Sequence, residues 1–499
     1  MIREKYSPAE VNFNRQRQTF GLVAGPAVAV ALLLMPLGLN PAAQRVAAIL
    51  ALMIVLWMTE ALPLAVTALI GPTLCVISGV ATVQVVFAPF ADPVIFVFIG
   101  SFILAEGMIV HRLDRRLAFT ALSSAWVGSS GFRLVVAYAS VTAFLSMWMS
   151  NTATTAMMFP LGLAVLGEIG RERRNDPVFL RYAMSMMLVT SFAATIGGMG
   201  TPVGTPPNLI GVGLLRTTAG IDVTFAKWMV VGVPVVILLM AFVILAVLLP
   251  RSRAIRLGPD AVRTVAEELR KLGTLTVGER NVLFAFAVTV ALWVLPGVLS
   301  LVFGDAHPAT RRYATLVPES IAAMIGALLL LIIPVNWRER RLTLSWEEAS
   351  RIDWGIVLLF GGGLAMGRMA ETSGLSPALG QGIASHFPGV GVVGLTVVFT
   401  GIAVVMSETA SNTAAANIIV PTAIAISKAA GVDPLEPALG ATLGASLGFM
   451  MPISTPPNAI VYSSGYIPLG AMMRNGVVLD VVGYVVIVAA VLTLGVFLP

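Results

Sequence analysis

Charge is scarce in this chain. Only 11% of its 499 residues are Asp, Glu, Lys or Arg, while 57% are hydrophobic; a soluble domain carries about 25% charged residues. Histidine is rarer still. The three present, His111, His307 and His386, fall near the ends of apolar runs, which argues against a histidine metal cluster or proton relay. The single cysteine, Cys75, excludes an internal disulfide and any cysteine-based metal site. There is no nucleophile elbow and no phosphate loop, so the chain is not read as an enzyme. The formal net charge of +6 does not point to nucleic acid, because the basic residues gather in loops between apolar runs.

Apolar runs are abundant. Those at residues 26–39, 230–249, 321–333 and 477–498 are long enough, with their flanks, to cross a bilayer. A membrane β-barrel would show short alternating segments instead. The expected fold is therefore an all-α polytopic membrane protein. No cleavage signal follows residues 1–18, so the first apolar run is read as a span and not as a signal peptide. Residues 1–19 form a polar tail. Spans are expected at 20–39, 46–60, 64–80 and 93–110, then an apolar stretch at 132–167, an interrupted one at 182–215 and a span at 228–249. A polar linker occupies 251–280, with an amphipathic helix at 261–272 lying on the membrane surface. The second half has spans at 282–299, 320–333 and 356–369, apolar stretches at 390–430 and 437–466, and a last span at 477–498.

Two short polar motifs occur once in each half. Ser150-Asn151-Thr152 returns as Ser411-Asn412-Thr413. Each is followed about fifty residues later by Thr-Pro-Pro-Asn, at 205–208 and 455–458. Pro160 and Pro421 each stand ten residues after the serine of their motif. Gly198 aligns with Gly448, and the run Phe98–Phe102 resembles Phe360–Leu364 at nearly the same offset. Interrupted apolar segments at matching places in two halves point to a transporter binding site. The halves are read as two inverted repeats, 20–250 and 281–499. If the tail is cytoplasmic and 132–167 is a re-entrant hairpin, 24 of the 31 Lys and Arg residues lie inside, as the positive-inside rule requires. The second hairpin, 390–430, then enters from outside.

The motif chemistry suits hairpin tips. Half-helices meeting at a tip leave backbone groups without intrahelical partners. Their N-termini favour an anion and their C-termini a cation. Asn offers donor and acceptor, and hydroxyls offer either. Pro-Pro forces the extended backbone of a break. No Lys or Arg lies within the motifs, so an anion there needs co-bound cations, and oxygen-only ligands suit Na⁺. Glu60, Glu106, Trp57 and Trp148 are read as structural or packing residues. Glu408, three residues before Ser411, is open between a structural role and one in shaping a cation site.

With these residues in place, the chain resembles the divalent anion/sodium symporter family, whose members include the bacterial INDY-type dicarboxylate transporters. Residues 145–154, 204–208, 407–413 and 454–458 carry the resemblance, together with 57–63, and it extends over essentially the whole chain. It implies a homodimer embedded in lipid, each protomer with about eleven transmembrane helices and two re-entrant hairpins. Scaffold helices, about 20–110 and 282–369, would make the dimer, and the hairpins and broken helices would move as an elevator-type transport domain. One sodium site would use Ser146, Ser150, Asn151 and the Gly204 carbonyl. The other would use Ser407, the Ala410 carbonyl, Asn412 and the Ser454 carbonyl. The substrate would meet Ser150, Asn151, Thr152, Thr205 and Pro206 on one side, and Ser411, Asn412, Thr413, Thr455 and Pro456 on the other. Many relatives have threonine at Ser407 and alanine at Ser454. The hydroxyl survives at the first, and the second needs only its carbonyl.

The expected function is Na⁺-coupled symport of C4-dicarboxylates such as succinate, malate and fumarate across the inner membrane. A dianion would need at least three Na⁺ for electrogenic transport. Sodium-independent anion exchange, or citrate, tartrate or sulfate as cargo, stays open on the same fold. A membrane-embedded enzyme or a channel is the reading from a different class.

Overall fold

The computed structural model describes residues 8–171, 175–253, 255–304, 306–386 and 389–497. Helices and the loops between them make up these residues, apart from a short strand pair, Pro334–Asn336 with Arg341–Leu342. The first helix spans Pro8–Leu34. Residues 8–19, expected as a polar tail, thus continue the helix of the first span; no glycine or further proline interrupts them. Residues 1–7 of that tail lie outside the described residues. Pro41–Thr59, Leu64–Ile77 and Pro93–Val110 follow. Asn40 and Asp92 cap two of these helices by accepting the amides of Ala43 and Val94, and proline occupies the first turn in both. Among the described residues nine helices are long and apolar enough to cross a membrane, or ten if Pro308–Leu316 and Glu319–Ile332, bent by 54°, form one span.

Three helices of nine or more residues stand where no helix was expected: Leu113–Leu122, Pro308–Leu316 and Leu375–His386. None contains an apolar run long enough to register as a span. Two of them reveal the repeat more fully than the motifs do. In the first half the order is Pro93–Val110, Leu113–Leu122, hairpin arms Gly131–Ser146 and Asn151–Ile169, broken helix Pro177–Gly198 with Pro206–Leu214, and Phe225–Phe242. In the second half it is Trp354–Thr372, Leu375–His386, hairpin arms Val392–Thr409 and Asn412–Ala429, broken helix Leu435–Gly444 with Pro456–Tyr462, and Leu469–Leu494.

The halves are interlocked, not merely adjacent. Pro93–Val110 packs on Glu319–Ile332 of the second half, and reciprocally Trp354–Thr372 packs on Leu64–Ile77 of the first. Glycine makes both crossings possible. A Cβ on Gly100 would stand 2.6 Å from the Ala323 backbone, and one on Gly362 only 2.3 Å from the Ala68 carbonyl oxygen. Gly100 and Gly362 are the aligned glycines of the Phe98 and Phe360 runs, and small residues let membrane helices approach this closely. Phe98 and Phe360 themselves touch, ring centroids 5.1 Å apart, so equivalent residues meet where the halves exchange. The short pieces after each break are swapped as well. Pro206–Leu214 packs on Asn412–Ala429 and Leu435–Gly444, and Pro456–Tyr462 packs on Asn151–Ile169 and Pro177–Gly198.

The linker helix forms over Pro259–Lys271, close to the expected 261–272. Arg116, on Leu113–Leu122, fastens its C-terminal end. Its guanidinium donates to the carbonyls of Leu272, Gly273 and Thr274 at 3.0–3.2 Å, and to the Glu279 carboxylate at 2.6 and 3.2 Å. A cation suits the carbonyl-rich end of a helix. Glu279, only 2% exposed, would be stranded without it. Removing one partner of such a buried pair costs about 3–5 kcal/mol. Arg116→Ala should therefore lower the melting temperature of the detergent-solubilised protein, and Arg116→Ala with Glu279→Leu should recover part of the loss. Equal melting of Arg116→Ala and wild type would refute the clamp.

Candidate functional site

The two motif pairs sit at the two helix breaks, and each tip is built in the same way. Ser150 is the N-cap of Asn151–Ile169 and its Oγ accepts the Ala153 amide at 3.2 Å. Ser411 is the N-cap of Asn412–Ala429 and accepts the Ala414 amide, also at 3.2 Å. Both serines hold extended backbone, ψ 144° and 145°. The first amides of the following half-helices, including those of Asn151 and Thr152 or Asn412 and Thr413, are thereby turned out of the helix. Across the tip, Ser146 Oγ donates to Asn151 Oδ1 at 2.8 Å, and Ser407 Oγ donates to Asn412 Oδ1 at 2.7 Å. The Ala445 carbonyl lies 2.8 Å from the same Ser407 hydroxyl, so the one proton is shared between two acceptors, and Asn412 Nδ2 donates to the Ser446 carbonyl at 3.3 Å.

The breaks bring further expected residues to the tips. Thr205 and Thr455 are N-caps of the short pieces, with φ −147° and −143°. Pro206 and Pro456 take the first helical position, where the missing N–H costs nothing. A Cβ on Gly204 would lie 2.9 Å from the Ser146 carbonyl oxygen, so the Gly204 backbone lies against Ser146. Ser454 Oγ stands 3.1 Å from the Glu408 carbonyl and donates to the Glu408 carboxylate, which joins the second break to the second tip. Ala410 ends Val392–Thr409 with an extended backbone, φ −135°. Each expected set is thus a local cluster of hydroxyl, amide and backbone oxygens with no basic side chain among its hydrogen bonds. Such neutral oxygen donors fit a hard cation like Na⁺.

Sequence reasoning left out the residues that hold the breaks open. Asn208 Nδ2 donates to the carbonyls of Gly198 and Thr201 at 2.9 and 2.7 Å; Asn458 Nδ2 donates to those of Gly448 and Met451, both at 2.9 Å. The last residue of each Thr-Pro-Pro-Asn motif is therefore a staple for carbonyls that the break would otherwise orphan. Ser191 also donates to Asn458 Oδ1 and joins the halves directly. The repetition of the motif was the available signal. Of the residues read as structural or packing, Glu60 pairs with Arg17 at 2.7 Å, Trp148 stacks on Phe225, and Trp57 donates to the Leu64 carbonyl. A mostly apolar cavity of about 790 Å³ is lined by Trp57, Met366, Leu379 and Pro421 among others, with no Lys or Arg in its lining.

The two tips differ in clearance. A Cβ at Gly198 would stand 2.2 Å from Asn151 Oδ1, whereas one at Gly448 would stand 3.2 Å from Asn412 Oδ1. Overpacking costs about 1–3 kcal/mol when neighbours must move. Gly198→Ala should destabilise the protein by that amount and Gly448→Ala by clearly less, read from melting temperatures. The reverse order would contradict the packing described for the first tip.

The chain resembles known proteins. The family described as "Sodium:sulfate symporter transmembrane region" matches residues 16–498. A "Sodium-dependent dicarboxylate transporter SdcS" of Staphylococcus saprophyticus is 32% identical over 481 residues, covering 95% of this chain and 91% of the relative. The protein of the same name from Staphylococcus aureus is also 32% identical, with 95% and 90% covered. Among solved structures, the Neisseria gonorrhoeae MtrF efflux pump aligns with a TM-score of 0.52 at 14% identity, covering 84% of this chain and 83% of that one. The Alcanivorax borkumensis YdaH transporter aligns at 0.50 and 15% identity, with 82% and 85% covered. These two likenesses concern the fold alone. With its doubled tips, its all-helical membrane architecture and a family match over nearly its full length, the chain belongs to the sodium:sulfate symporter family, the divalent anion/sodium symporters.

Proposed function

We propose that this transporter carries C4-dicarboxylates such as succinate, malate and fumarate into the cell across the inner membrane, coupled to Na⁺. The observation that carries the reading is the twinned tip: a capped half-helix N-terminus beside a Ser–Asn oxygen pair, at 2.8 Å in one half and 2.7 Å in the other. The N-termini supply N–H groups for two carboxylates, and the oxygen pairs supply cation ligands. In this reading Ser146, Ser150, Asn151 and the Gly204 carbonyl hold one sodium. Ser407, Asn412 and the carbonyls of Ala410 and Ser454 hold another. Ser150, Asn151, Thr152, Thr205 and Pro206 face one carboxylate, and Ser411, Asn412, Thr413, Thr455 and Pro456 face the other. Because the tips hold no Lys or Arg, sodium supplies the countercharge that lets a dianion leave water. The relatives named as sodium-dependent dicarboxylate transporters support the same cargo and ion.

The swapped half-helices join both tips into one unit, which supports movement of hairpins and broken helices together, elevator fashion, against scaffold helices that pair in a homodimer. A cytoplasmic N-terminus follows from the distribution of basic residues.

Uptake of labelled succinate into proteoliposomes should be several-fold faster under an inward Na⁺ gradient than in K⁺ buffer. Equal rates would remove the coupling. Sulfate, the anion in the family's description, should compete weakly; if sulfate displaces succinate at equal concentration, the cargo is the inorganic dianion. The double change Asn151→Ala with Asn412→Ala should abolish uptake while the protein keeps its size-exclusion profile, and persistent uptake would sink the assignment of the tips.

A further inference from the structure

The two halves part company at one place beside the second tip. In the first half the residue after Ser146 is Met147, and its side chain packs near Gly200. The corresponding residue after Ser407 is Glu408. It turns away from Asn412 toward the second break: Oε1 accepts the Met450 amide at 2.8 Å, and Oε2 accepts the Ser454 hydroxyl at 2.6 Å. The same asymmetry appears on the last helix of each half. Gly232 in Phe225–Phe242 and Gly476 in Leu469–Leu494 both press on the backbone just beyond the break, at Met199 and at Phe449 and Met450 respectively. Counting four residues on from these glycines gives Val236 in the first half and Asp480 in the second. The fold thus accommodates Met and Val at these two positions, so acids are not required there for packing.

Asp480 is 7% exposed and Glu408 6%. Glu408 reaches the Met450 amide, and Gly476 packs on the Met450 backbone, so Asp480, one turn further along Leu469–Leu494, stands beside Glu408 and the two carboxyl groups interact. Asp480 Oδ1 is buried and has no hydrogen-bond partner. None of the ion pairs among the described residues involves either acid. Two carboxyl groups meeting in a buried setting cannot both stay ionised unless a cation lies between them; otherwise they share a proton. Carboxylate oxygens are ligands for hard cations, and intramembrane acids of this kind mark ion pathways.

We propose that Glu408 and Asp480 bind a sodium ion between them, at a site separate from the two tip clusters. The ion sits on the side of the second hairpin that faces Leu469–Leu494. It is tied to the tip because Glu408 also grips Ser454, whose carbonyl belongs to the second tip cluster. Filling this site pins the loop after the break, and with it Thr455 and Pro456, against the last helix. The inference rests on the sodium-coupled reading given above, and it supplies the third positive charge that electrogenic uptake of a dianion needs.

The test is equilibrium binding of ²²Na⁺ to the purified full-length protein without any anion, using wild type, Asp480→Asn, Glu408→Gln and the tip variant Asn151→Ala with Asn412→Ala. Both acid variants should bind one sodium fewer per protomer than wild type. In proteoliposomes Asp480→Asn should move one charge fewer per succinate. The tip variant alone should still retain one bound sodium, an arm that holds even if the acid variants fold poorly, and the further change Asp480→Asn should remove that ion. Equal sodium binding by wild type and both acid variants would overturn the site while leaving coupled transport standing. Unchanged sodium binding accompanied by loss of a pH-dependent proton release in Asp480→Asn would overturn it in favour of a shared proton. A wild type that binds no sodium would instead overturn the coupled-transport reading on which the site rests.

Discussion

Breaking a helix at membrane depth strands backbone groups where water cannot reach them, and each orphan costs several kcal/mol. The arrangement of this protein depends on meeting that constraint four times, at two hairpin tips and two helix breaks. Serine N-caps answer it at the tips, where Ser150 and Ser411 each take up one free amide. Asparagine answers it at the breaks, where Asn208 and Asn458 each gather two stranded carbonyls. Once these few side chains have satisfied the local deficits, the remaining free N–H and C=O groups at the tips are available to ligands. The same polar residues that make the breaks tolerable therefore leave behind the surface on which ions can bind.

The repeat was legible because polar residues in apolar surroundings are conspicuous. Ser150-Asn151-Thr152 and its twin stood out for that reason, and they cap the half-helices that were expected. The alignment of Phe98–Phe102 with Phe360–Leu364 looked weaker, yet it carried structural meaning: it pairs Gly100 with Gly362, which make the two interlocking crossings, and Phe98 with Phe360, which touch. Leu113–Leu122 and Leu375–His386 were not legible, because a short helix beside a membrane needs no long apolar run. Asp480 was missed for a different reason. It sits alone in the long apolar segment 477–498, with no neighbouring polar residue to form a motif, and its partner Glu408 lies 72 positions earlier. Only the packing of the last helix against the second break brings them together.

Symmetry in this molecule is close but incomplete. The tips match to within 0.1 Å in their Ser–Asn bonds, whereas the clearance at Gly198 and Gly448 differs by 1.0 Å and one half alone carries a buried acid pair. Duplication supplied two copies of a binding element. The two copies differ in that one is packed more loosely at its tip and has charge beside it, so the halves are similar in shape and unequal in electrostatics.

The exchange of the short pieces has a consequence for how the chain is made. Pro206–Leu214 finds its packing surface on Asn412–Ala429 and Leu435–Gly444, and Pro456–Tyr462 returns to Asn151–Ile169 and Pro177–Gly198. During synthesis the first half therefore reaches the bilayer with its broken helix lacking a partner and waits for some two hundred further residues before that gap is filled. Until then the carbonyls of the break depend on donors from the first half, Trp228 for Met199 and Asn208 for Gly198 and Thr201. The Asn208 amide acts as a temporary seal during biogenesis as well as a permanent brace in the finished protein.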